Sequence, residues 1–514
     1  MGDWPGLRGD RSVRSPGRRS ERASPSNGAA GWRQALVEPR RARWVRDRPN
    51  AHWYAVAAVC LGAFMGQLDA SIVTLALPSL HRDFNAGLGA VTWVGLSYLI
   101  VLVALVVPVG RLADMAGRKL LYTYGFVVFV VGSALCGLAP TLGSLVGFRV
   151  LQAIGAAMLQ ANSVAIIALA IPKERLGRAI GVQGAAQALG LALGPSLGGL
   201  LIALGGWRLI FFVNIPAGIV GAMLGWLFIP RSRELQRRVR FDWTGLGLFV
   251  PAVAALLVVV SFGNELGWTS SLTVGLLGSF IGLAAAFVVH ERRASAPMVD
   301  AALFRRLRFS AAIGAGLLSY LVLFGTLFVV PFFFERALGM GVGTAGLELT
   351  VMAVVLGLVA PFAGHVADRW GARSLTVAGM LLVATSLAVL GLVQPGTAGR
   401  LGALAVLGAG LGLFTPPNNA AVMATAPRSQ AGMASGILNM TRGLGTAMGL
   451  AFTSLVFGII AGSNQLSPTA VTQGFEAATL FLAGVAIVAA GLAALGGRGS
   501  NVGRPGPAGS RLLQ

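Results

Sequence analysis

Two short charged stretches decide how this chain is organised: GRLADMAGRK at residues 110–119 and GHVADRWGAR at residues 364–373. Both carry the pattern Gly-x-x-x-Asp-x-x-Gly followed by a base, and both lie between long apolar runs. Asp114 of the first stretch corresponds to Asp368 of the second. A duplicated charged turn in an apolar chain predicts two related halves, the arrangement of an alternating-access transporter.

The composition predicts an all-α integral membrane protein. The hydrophobic fraction is 55% and the charged fraction is 11%, whereas a soluble domain has about 25% charged residues. Apolar runs of roughly 20 residues can each cross a bilayer core as a helix. We count fourteen: 54–78, 90–110, 120–139, 144–171, 178–204, 208–229, 243–263, 271–290, 310–334, 345–366, 374–393, 401–425, 433–462 and 474–496.

The basic residues predict the orientation. Of the 40 Lys and Arg, the loops after odd-numbered helices hold only Arg82, Arg208, Arg336 and Arg400. The positive-inside rule therefore places the even-numbered loops and both termini in the cytoplasm of a cell with the protein in its inner (plasma) membrane. The net charge of +22 follows from this topology. A nucleic-acid partner is not expected, because no folded basic domain is available for it.

The repeat also predicts the domain boundaries. If the second half begins at helix 9, the two charged turns occupy the same place in a six-helix unit. The predicted parts are a disordered Arg-rich tail (1–52), a six-helix half (53–230), two inserted helices with basic loops (231–309), a second six-helix half (310–496) and a short tail (497–514). The first tail either contacts anionic lipid or reflects a misassigned start site.

At this point the chain resembles a known family, the major facilitator superfamily, and within it the fourteen-helix drug:proton antiporter branch (the EmrB/QacA type). The motifs that carry the resemblance are LDASIVTLALP at 68–78, the turn at 110–119, RVLQAIG at 149–155, GLALGPSLGG at 190–199, WRLIFFVNIPAG at 207–218 and GMASGILNMTR at 432–442. Ser71, Thr74 and Glu335 depart from the usual pattern. We expect the first two to alter substrate choice.

Asp69 is the acid that lies deep inside an apolar run. A charge at mid-bilayer costs about 2.5–3.5 kcal/mol on insertion scales, so such residues usually face a cavity and have a function. We expect Asp69 to couple proton movement to transport, with Arg149 and Gln152 on one face of helix 4 beside it. The alternative is that Asp69 and Arg149 form an ion pair that only joins two helices.

The resemblance implies further site residues. It implies a conformational latch that holds the halves together, formed by Gly110, Asp114, Gly117, Arg118, Asp368 and Arg369. The antiporter motif of helix 5 consists of Gly190, Gly194, Pro195, Gly198 and Gly199. Small residues at this spacing let helices approach closely, and a proline bends a helix. Secondary candidates are Glu335, Glu348, Asn439 and Arg442.

No enzymatic, metal or phosphate-loop constellation is present in the sequence, so we expect no catalytic residue, no metal and no cofactor. A proton gradient rather than ATP would then drive transport. The expected function is proton-coupled export of hydrophobic or cationic small molecules by a monomer, as in multidrug or antibiotic efflux. The alternatives are a dedicated exporter of an endogenous metabolite and a transporter-like receptor that binds without transporting.

Overall fold

A computed structural model describes residues 45, 48, 50–232, 240–294, 297–462 and 467–496. The predicted tail at 497–514 lies outside the described residues, and so does nearly all of the predicted tail at 1–52. Within the described part the chain contains helices and no strands. The all-α class predicted from the composition is therefore confirmed.

Fourteen long helices follow one another along the described chain. They are α1 (Ala51–Phe84), α2 (Leu88–Ala116), α3 (Arg118–Gly137), α4 (Leu142–Ala170), α5 (Leu176–Gly205), α6 (Leu209–Phe228), α7 (Trp243–Leu266), α8 (Ser271–Arg293), α9 (Leu307–Arg336), α10 (Val342–Trp370), α11 (Arg373–Val393), α12 (Thr397–Thr425), α13 (Ala431–Ala461) and α14 (Pro468–Gly496). In α6 the helical hydrogen bonding is interrupted at Val213, and α11 ends in a π-helical turn at Val389–Val393.

Thirteen of these helices are each long enough and apolar enough to cross a membrane. The remaining helix, α5, bends by 44° between Gly194 and Ser196, and its two parts together complete a fourteenth span. The predicted number of spans is therefore reached when this bent helix counts as one. The bend lies where the sequence places Pro195, which cannot donate a helical hydrogen bond.

The duplicated turn ends one helix and begins the next in both places. Gly117 separates α2 from α3 with a φ of 128°, and Gly371 separates α10 from α11 with a φ of 90°. Glycine adopts positive φ without a steric penalty, whereas other residues do so at a cost. The second glycine of the repeated pattern is therefore required by the backbone of the turn.

Helices α1–α6 form one half of the bundle, here the N-half, and α9–α14 form the other, the C-half. The two halves meet where α2 packs against α13 and where α5 packs against α10. Helix α7 packs on α2 and α13 from outside, and α8 packs on α7. Only 6% of the apolar stretch of α8 is buried inside the protein. The inserted pair therefore lies beside the two halves.

The boundary predicted at residue 310 lies inside a helix. A one-turn helix (Ala301–Phe304) precedes α9, and α9 then begins at Leu307. Asp300 caps the short helix by accepting a hydrogen bond from the amide of Ala302 at 2.8 Å. The basic residues of this loop concealed the start of α9 in the hydropathy pattern.

Candidate functional site

On the side where α2 ends, a carboxylate of the N-half docks on a helix of the C-half. The Asp114 carboxylate is fully buried and accepts hydrogen bonds from the backbone amides of Gly432 at 2.8 Å and Met433 at 3.0 Å. These amides belong to the first turn of α13, where the N–H groups have no helical acceptor. A negative charge is favourable there because the helix dipole places positive partial charge at this end.

Arg118 supports the same contact. Its guanidinium donates to Asp114 through Nε at 2.8 Å and Nη2 at 2.6 Å, and Nη2 also donates to the carbonyl of Arg428 at 2.9 Å. The Arg118–Asp114 pair lies within the N-half, whereas the contact with Arg428 crosses to the C-half. This arginine therefore orients the carboxylate and adds its own link between the halves.

The second copy of the turn makes the reciprocal contact. Asp368 of the C-half accepts hydrogen bonds from the amides of Gly177 at 2.7 Å and Arg178 at 3.0 Å, in the first turn of α5. Its side chain is half-buried. Arg369, the neighbouring base, is exposed. Each half thus places one carboxylate on a helix start of the other, and the two contacts close this side of the interface between the halves.

Asp69 lies in the interior of the N-half, with no exposed surface. Its carboxylate accepts hydrogen bonds from Arg149 at 2.8 Å, Gln152 at 2.9 Å and Asn214 at 2.9 Å. These partners come from α4 and α6, so the carboxylate connects three helices. The structure thus brings together the three residues predicted for proton coupling and adds Asn214.

Arg149 makes several contacts besides the one with Asp69. Besides the ion pair with Asp69, its Nε donates to the carbonyl of Val94 at 3.0 Å and its Nη1 donates to Gln152 at 2.6 Å. The guanidinium also lies 4.0 Å from the ring centroid of Tyr98. A buried charge is tolerated when it is paired and its other donors are satisfied. This arrangement meets that condition.

A cavity separates the two halves near the middle of the bundle. Its volume is about 50 Å³, and its walls include Gln67 of α1, Gln187 of α5, Ser319 and Tyr320 of α9, and Thr415 of α12. Pockets for drug-sized ligands are about 300–1,000 Å³. The conformation described here therefore encloses too little space for such a ligand, and the halves must move apart to admit one.

Asp69 and this cavity lie on different sides of α1. Gln67 lines the cavity, and Asp69 follows two residues later, which is about 200° around a helix. Asp69 consequently points into the N-half. Any coupling between proton and substrate must pass through the movement of α1 or its neighbours, because the two do not share a pocket in this conformation.

The helix 5 glycines face α1 with one exception. A Cβ at Gly190 would lie 2.5 Å from a backbone oxygen of α1, and one at Gly194 would overlap Ser71. Gly198 also faces α1, with a side-chain carbon at 2.7 Å, whereas Gly199 has nothing within 4 Å. The first three positions allow α5 and α1 to touch, and Gly199 has no such role.

A second buried carboxylate is paired in the C-half. Glu348 of α10 accepts two hydrogen bonds from Arg400 of α12, at 3.1 and 3.2 Å, and is 6% exposed. Glu335, at the end of α9, is half-buried and has no hydrogen bond or ion pair to the described residues. Of the two candidate acids of the C-half, Glu348 is therefore paired with a base, whereas Glu335 is unpaired among the described residues.

Arg442 and Asn439 lie on the face of α13 that meets other helices. Asn439 donates to the carbonyl of Gln160 in α4 at 2.9 Å, which is a hydrogen bond between the halves. The Arg442 guanidinium lies 4.9 Å from the ring centroid of Tyr320. Sequence reasoning named both residues of α13 but did not identify either partner.

Several contributors to the N-half network were not predicted. Ser133 accepts a hydrogen bond from Gln152 at 2.6 Å, and the thiol of Cys136 lies 3.8 Å from the Gln152 oxygen. Asn214 lies in a quoted motif, but no role was given to it. Small polar residues in apolar runs give no sequence signal for the face on which they lie, so these contacts needed the structure.

Comparison with known proteins agrees with this architecture. Residues 59–450 match the Major Facilitator Superfamily. The multidrug resistance protein Stp of Mycobacterium tuberculosis is 35% identical over 396 residues, which are 77% of this chain and 74% of that protein. The riboflavin transporter RibZ of Clostridioides difficile is 32% identical over 415 residues, covering 80% and 90%. The tetracenomycin C resistance and export protein of Streptomyces glaucescens is 30% identical over 422 residues, covering 82% and 77%.

Solved structures agree on the fold. The proton:xylose symporter XylE superposes with a TM-score of 0.59 at 17% identity, over 86% of this chain and 94% of that one. The human organic anion transporter MFSD10 gives a TM-score of 0.60 at 14% identity, over 87% and 100%. At such low identity the likeness shows the fold alone.

Proposed function

We propose a transport function for this chain, which belongs to the major facilitator superfamily. In this proposal it is a secondary active transporter of the fourteen-helix drug:proton antiporter branch. It exports hydrophobic or cationic small molecules from the cytoplasm in exchange for protons. It acts as a monomer in the inner (plasma) membrane, and both termini are cytoplasmic.

The observation that carries the proposal is the pair of reciprocal carboxylate contacts between the halves. Asp114 docks on α13 and Asp368 docks on α5, and both use amides at helix starts. Such contacts form when the halves are together and break when they part. They therefore favour one of two conformations, which is what alternating access requires. The names of several relatives, which refer to resistance and export, support export as the direction.

Asp69 is the proposed proton carrier. It is the titratable group at the centre of the N-half network, and Arg149 neutralises it in the conformation described. For coupling, that pair must separate in another conformation, so that the carboxylate can take up a proton. Arginine itself does not release its proton in proteins. If the pair never separates, it serves only to hold α1 and α4 together, and coupling must lie elsewhere.

The first experiment is a drug-susceptibility panel in an efflux-deficient bacterial host, with and without the protein. Compounds that become less toxic identify substrates. Inverted membrane vesicles then test the energy source, since uptake should require a proton gradient and should stop when a protonophore collapses it. Uptake that continues without the gradient while ATP is present would contradict the proposal. A host with unchanged susceptibility to every compound would argue against broad efflux.

A second candidate is a dedicated exporter of one endogenous metabolite. The name of one relative refers to a single compound, which favours this candidate. That relative is the tetracenomycin C resistance and export protein of Streptomyces glaucescens. Protection against one compound class in the panel, with no effect on the others, would support the dedicated exporter over the broad one.

A further inference from the structure

Four arginines of the membrane-spanning helices are buried: Arg111 and Arg118 at the charged turn, and Arg149 and Arg442 away from it. The surroundings of the last two differ. Arg149 of the N-half is 1% exposed and forms an ion pair with Asp69. Arg442 of the C-half is 6% exposed and has no carboxylate within 4 Å among the described residues. Nε and Nη1 of Arg442 are buried and have no hydrogen-bond partner in the part of the chain that the structure describes. One buried charge is thus neutralised and the other is not.

Arg442 lies inside the membrane-spanning part of α13, about one turn from the midpoint of this helix. It is the twelfth residue of α13, so it lies about 16 Å along the helix from the start at Ala431, using a rise of 1.5 Å per residue. The hydrocarbon core is about 30 Å thick. An unpaired charge at this depth is expensive, and residues of this kind usually serve binding or transport.

Other polar groups on the same face of α13 are also unsatisfied. Asn439 lies one turn before Arg442, and its Oδ1 is buried without a hydrogen-bond partner. Ser435 lies a further turn back, and its hydroxyl is likewise buried without a partner. Buried polar atoms without a partner are rare in folded proteins and call for an explanation such as a ligand or an ion.

Tyr320 links this cluster with the cavity between the halves. Its ring faces the Arg442 guanidinium at 4.9 Å and also lines the cavity. A change in the position of this one side chain would open a route from the cavity to the free N–H groups. The described residues that line the cavity include no Asp, Glu, Lys or Arg. The described lining thus has no carboxylate to pair with a cation, while a positive charge lies behind the cavity wall.

We propose that Arg442 binds an acidic group of the transported molecule. The substrate class would be a hydrophobic or aromatic body with a carboxylate or a comparable oxyanion. The oxyanion pairs with Arg442, and the body occupies the cavity beside Tyr320 once the halves have moved apart. This inference rests on the proposed transport function and narrows its substrate class, because it excludes permanently cationic compounds from this site.

A purely structural role for Arg442 explains the observations less well. A cation–π contact with one tyrosine satisfies a face of the guanidinium but none of its N–H donors. Arg149 shows how this chain satisfies another buried arginine, with a carboxylate, a carbonyl and an amide around it. Nothing equivalent surrounds Arg442 among the described residues.

The test measures binding without any gradient, on purified protein in phosphatidylcholine nanodiscs. The probes are 9-anthracenecarboxylate and 9-(aminomethyl)anthracene, which share a ring system and carry opposite charges at neutral pH. We expect the carboxylate to bind at least about tenfold more tightly, as one charge-assisted hydrogen bond would give. Arg442→Gln should remove this preference and Arg442→Lys should keep part of it. Arg336→Gln, at an exposed base at the end of α9, is the matched control and should leave it unchanged.

Thermal unfolding separates binding from a structural role. Removing an unpaired buried charge should not lower the unfolding temperature, whereas Arg149→Gln breaks a paired charge and should lower it. The inference is overturned if the wild-type protein shows no preference for the carboxylate, if Arg442→Gln retains the preference, or if Arg442→Gln destabilises the fold as much as Arg149→Gln. Misfolding of both Arg442 variants would likewise overturn the inference, because it would show a structural role for this arginine. Carboxylate binding without proton-driven flux would contradict the proposed function and leave this inference standing.

Discussion

Asparagine in place of Asp114 should loosen the closed interface between the halves more than the same change at Asp368. Both carboxylates accept two backbone hydrogen bonds from the opposite half. Asp114 is fully buried, whereas Asp368 is half-buried and therefore partly open to solvent. The pair that Asp114 forms with Arg118 lies within one half and persists when the halves part. Of the contacts that Asp114 makes, only those with Gly432 and Met433 cross between the halves and depend on the conformation.

The size of the effect follows from those contacts. Two hydrogen bonds to a charged acceptor stabilise the closed state by about 1.5–3 kcal/mol each, and asparagine retains one neutral bond of about 0.5–1.5 kcal/mol. Asp114→Asn should therefore disfavour the closed state by about 2.5–4.5 kcal/mol, a shift of roughly 70- to 2,000-fold in the ratio of closed to open protein. Asp368→Asn should give about 1–2 kcal/mol, because water screens a half-exposed contact.

The assay is the distance between two spin labels, placed at exposed Lys173 of the N-half and exposed Arg373 of the C-half, measured by pulsed electron resonance in nanodiscs. Asp114→Asn should increase the population with long distances far more than Asp368→Asn does. Glu335→Gln, at a carboxylate without a partner among the described residues, is the control and should not change the distances. Equal effects of the two Asn variants, or no effect of Asp114→Asn, would refute this reasoning.

Three further predictions concern topology, helix packing and the second buried acid. In intact cells, a membrane-impermeant thiol reagent should label a single cysteine at Thr141 and not one at Arg305; the reverse pattern would contradict the orientation. Gly194→Leu should slow transport strongly because the leucine side chain would overlap α1, whereas Gly199→Leu should transport at the wild-type rate because no described atom lies within 4 Å of its Cβ. Equal rates of the two variants in a flux assay would rule out the packing role. Glu348→Gln should lower the free energy of unfolding by about 1–3 kcal/mol, because Arg400 loses a charged acceptor. The variant should nevertheless retain proton-driven flux. Loss of that flux in a well-folded variant would make Glu348 a coupling residue.

The sequence predicted the features that depend on local pattern. The apolar runs indicated the helices, and the repeated charged turn indicated where α2 is followed by α3 and α10 by α11. The helix ends were predicted at residues 110 and 366, whereas α2 and α10 continue through the turns to Ala116 and Trp370. Asp69 was recognisable because a lone acid in an apolar run is costly. Its two possible roles, coupling and ion pairing with Arg149, could both be stated from the sequence, and the structure shows the two side chains in contact.

Features that depend on packing between distant segments were not predictable. The docking of Asp368 on Gly177 joins residues from opposite halves, and no pattern in either segment specifies the other. The small volume of the cavity results from how closely α5 approaches α10. That Arg442 lacks a partner is likewise a property of its neighbours, since its own motif gives no sign of the difference from Arg149.

The most direct test of proton coupling is uphill transport by Asp69→Asn in proteoliposomes under an imposed proton gradient, with a substrate identified by the susceptibility panel. Asparagine keeps the shape of the side chain but cannot titrate, and Asp69→Glu is the matched variant that can. Because the change leaves Arg149 without its ion-pair partner, folding is checked first by size exclusion and thermal unfolding. If Asp69 carries the proton, well-folded Asp69→Asn loses uphill transport and retains downhill exchange, while Asp69→Glu keeps part of the uphill activity. Full uphill transport by Asp69→Asn would contradict this role of Asp69.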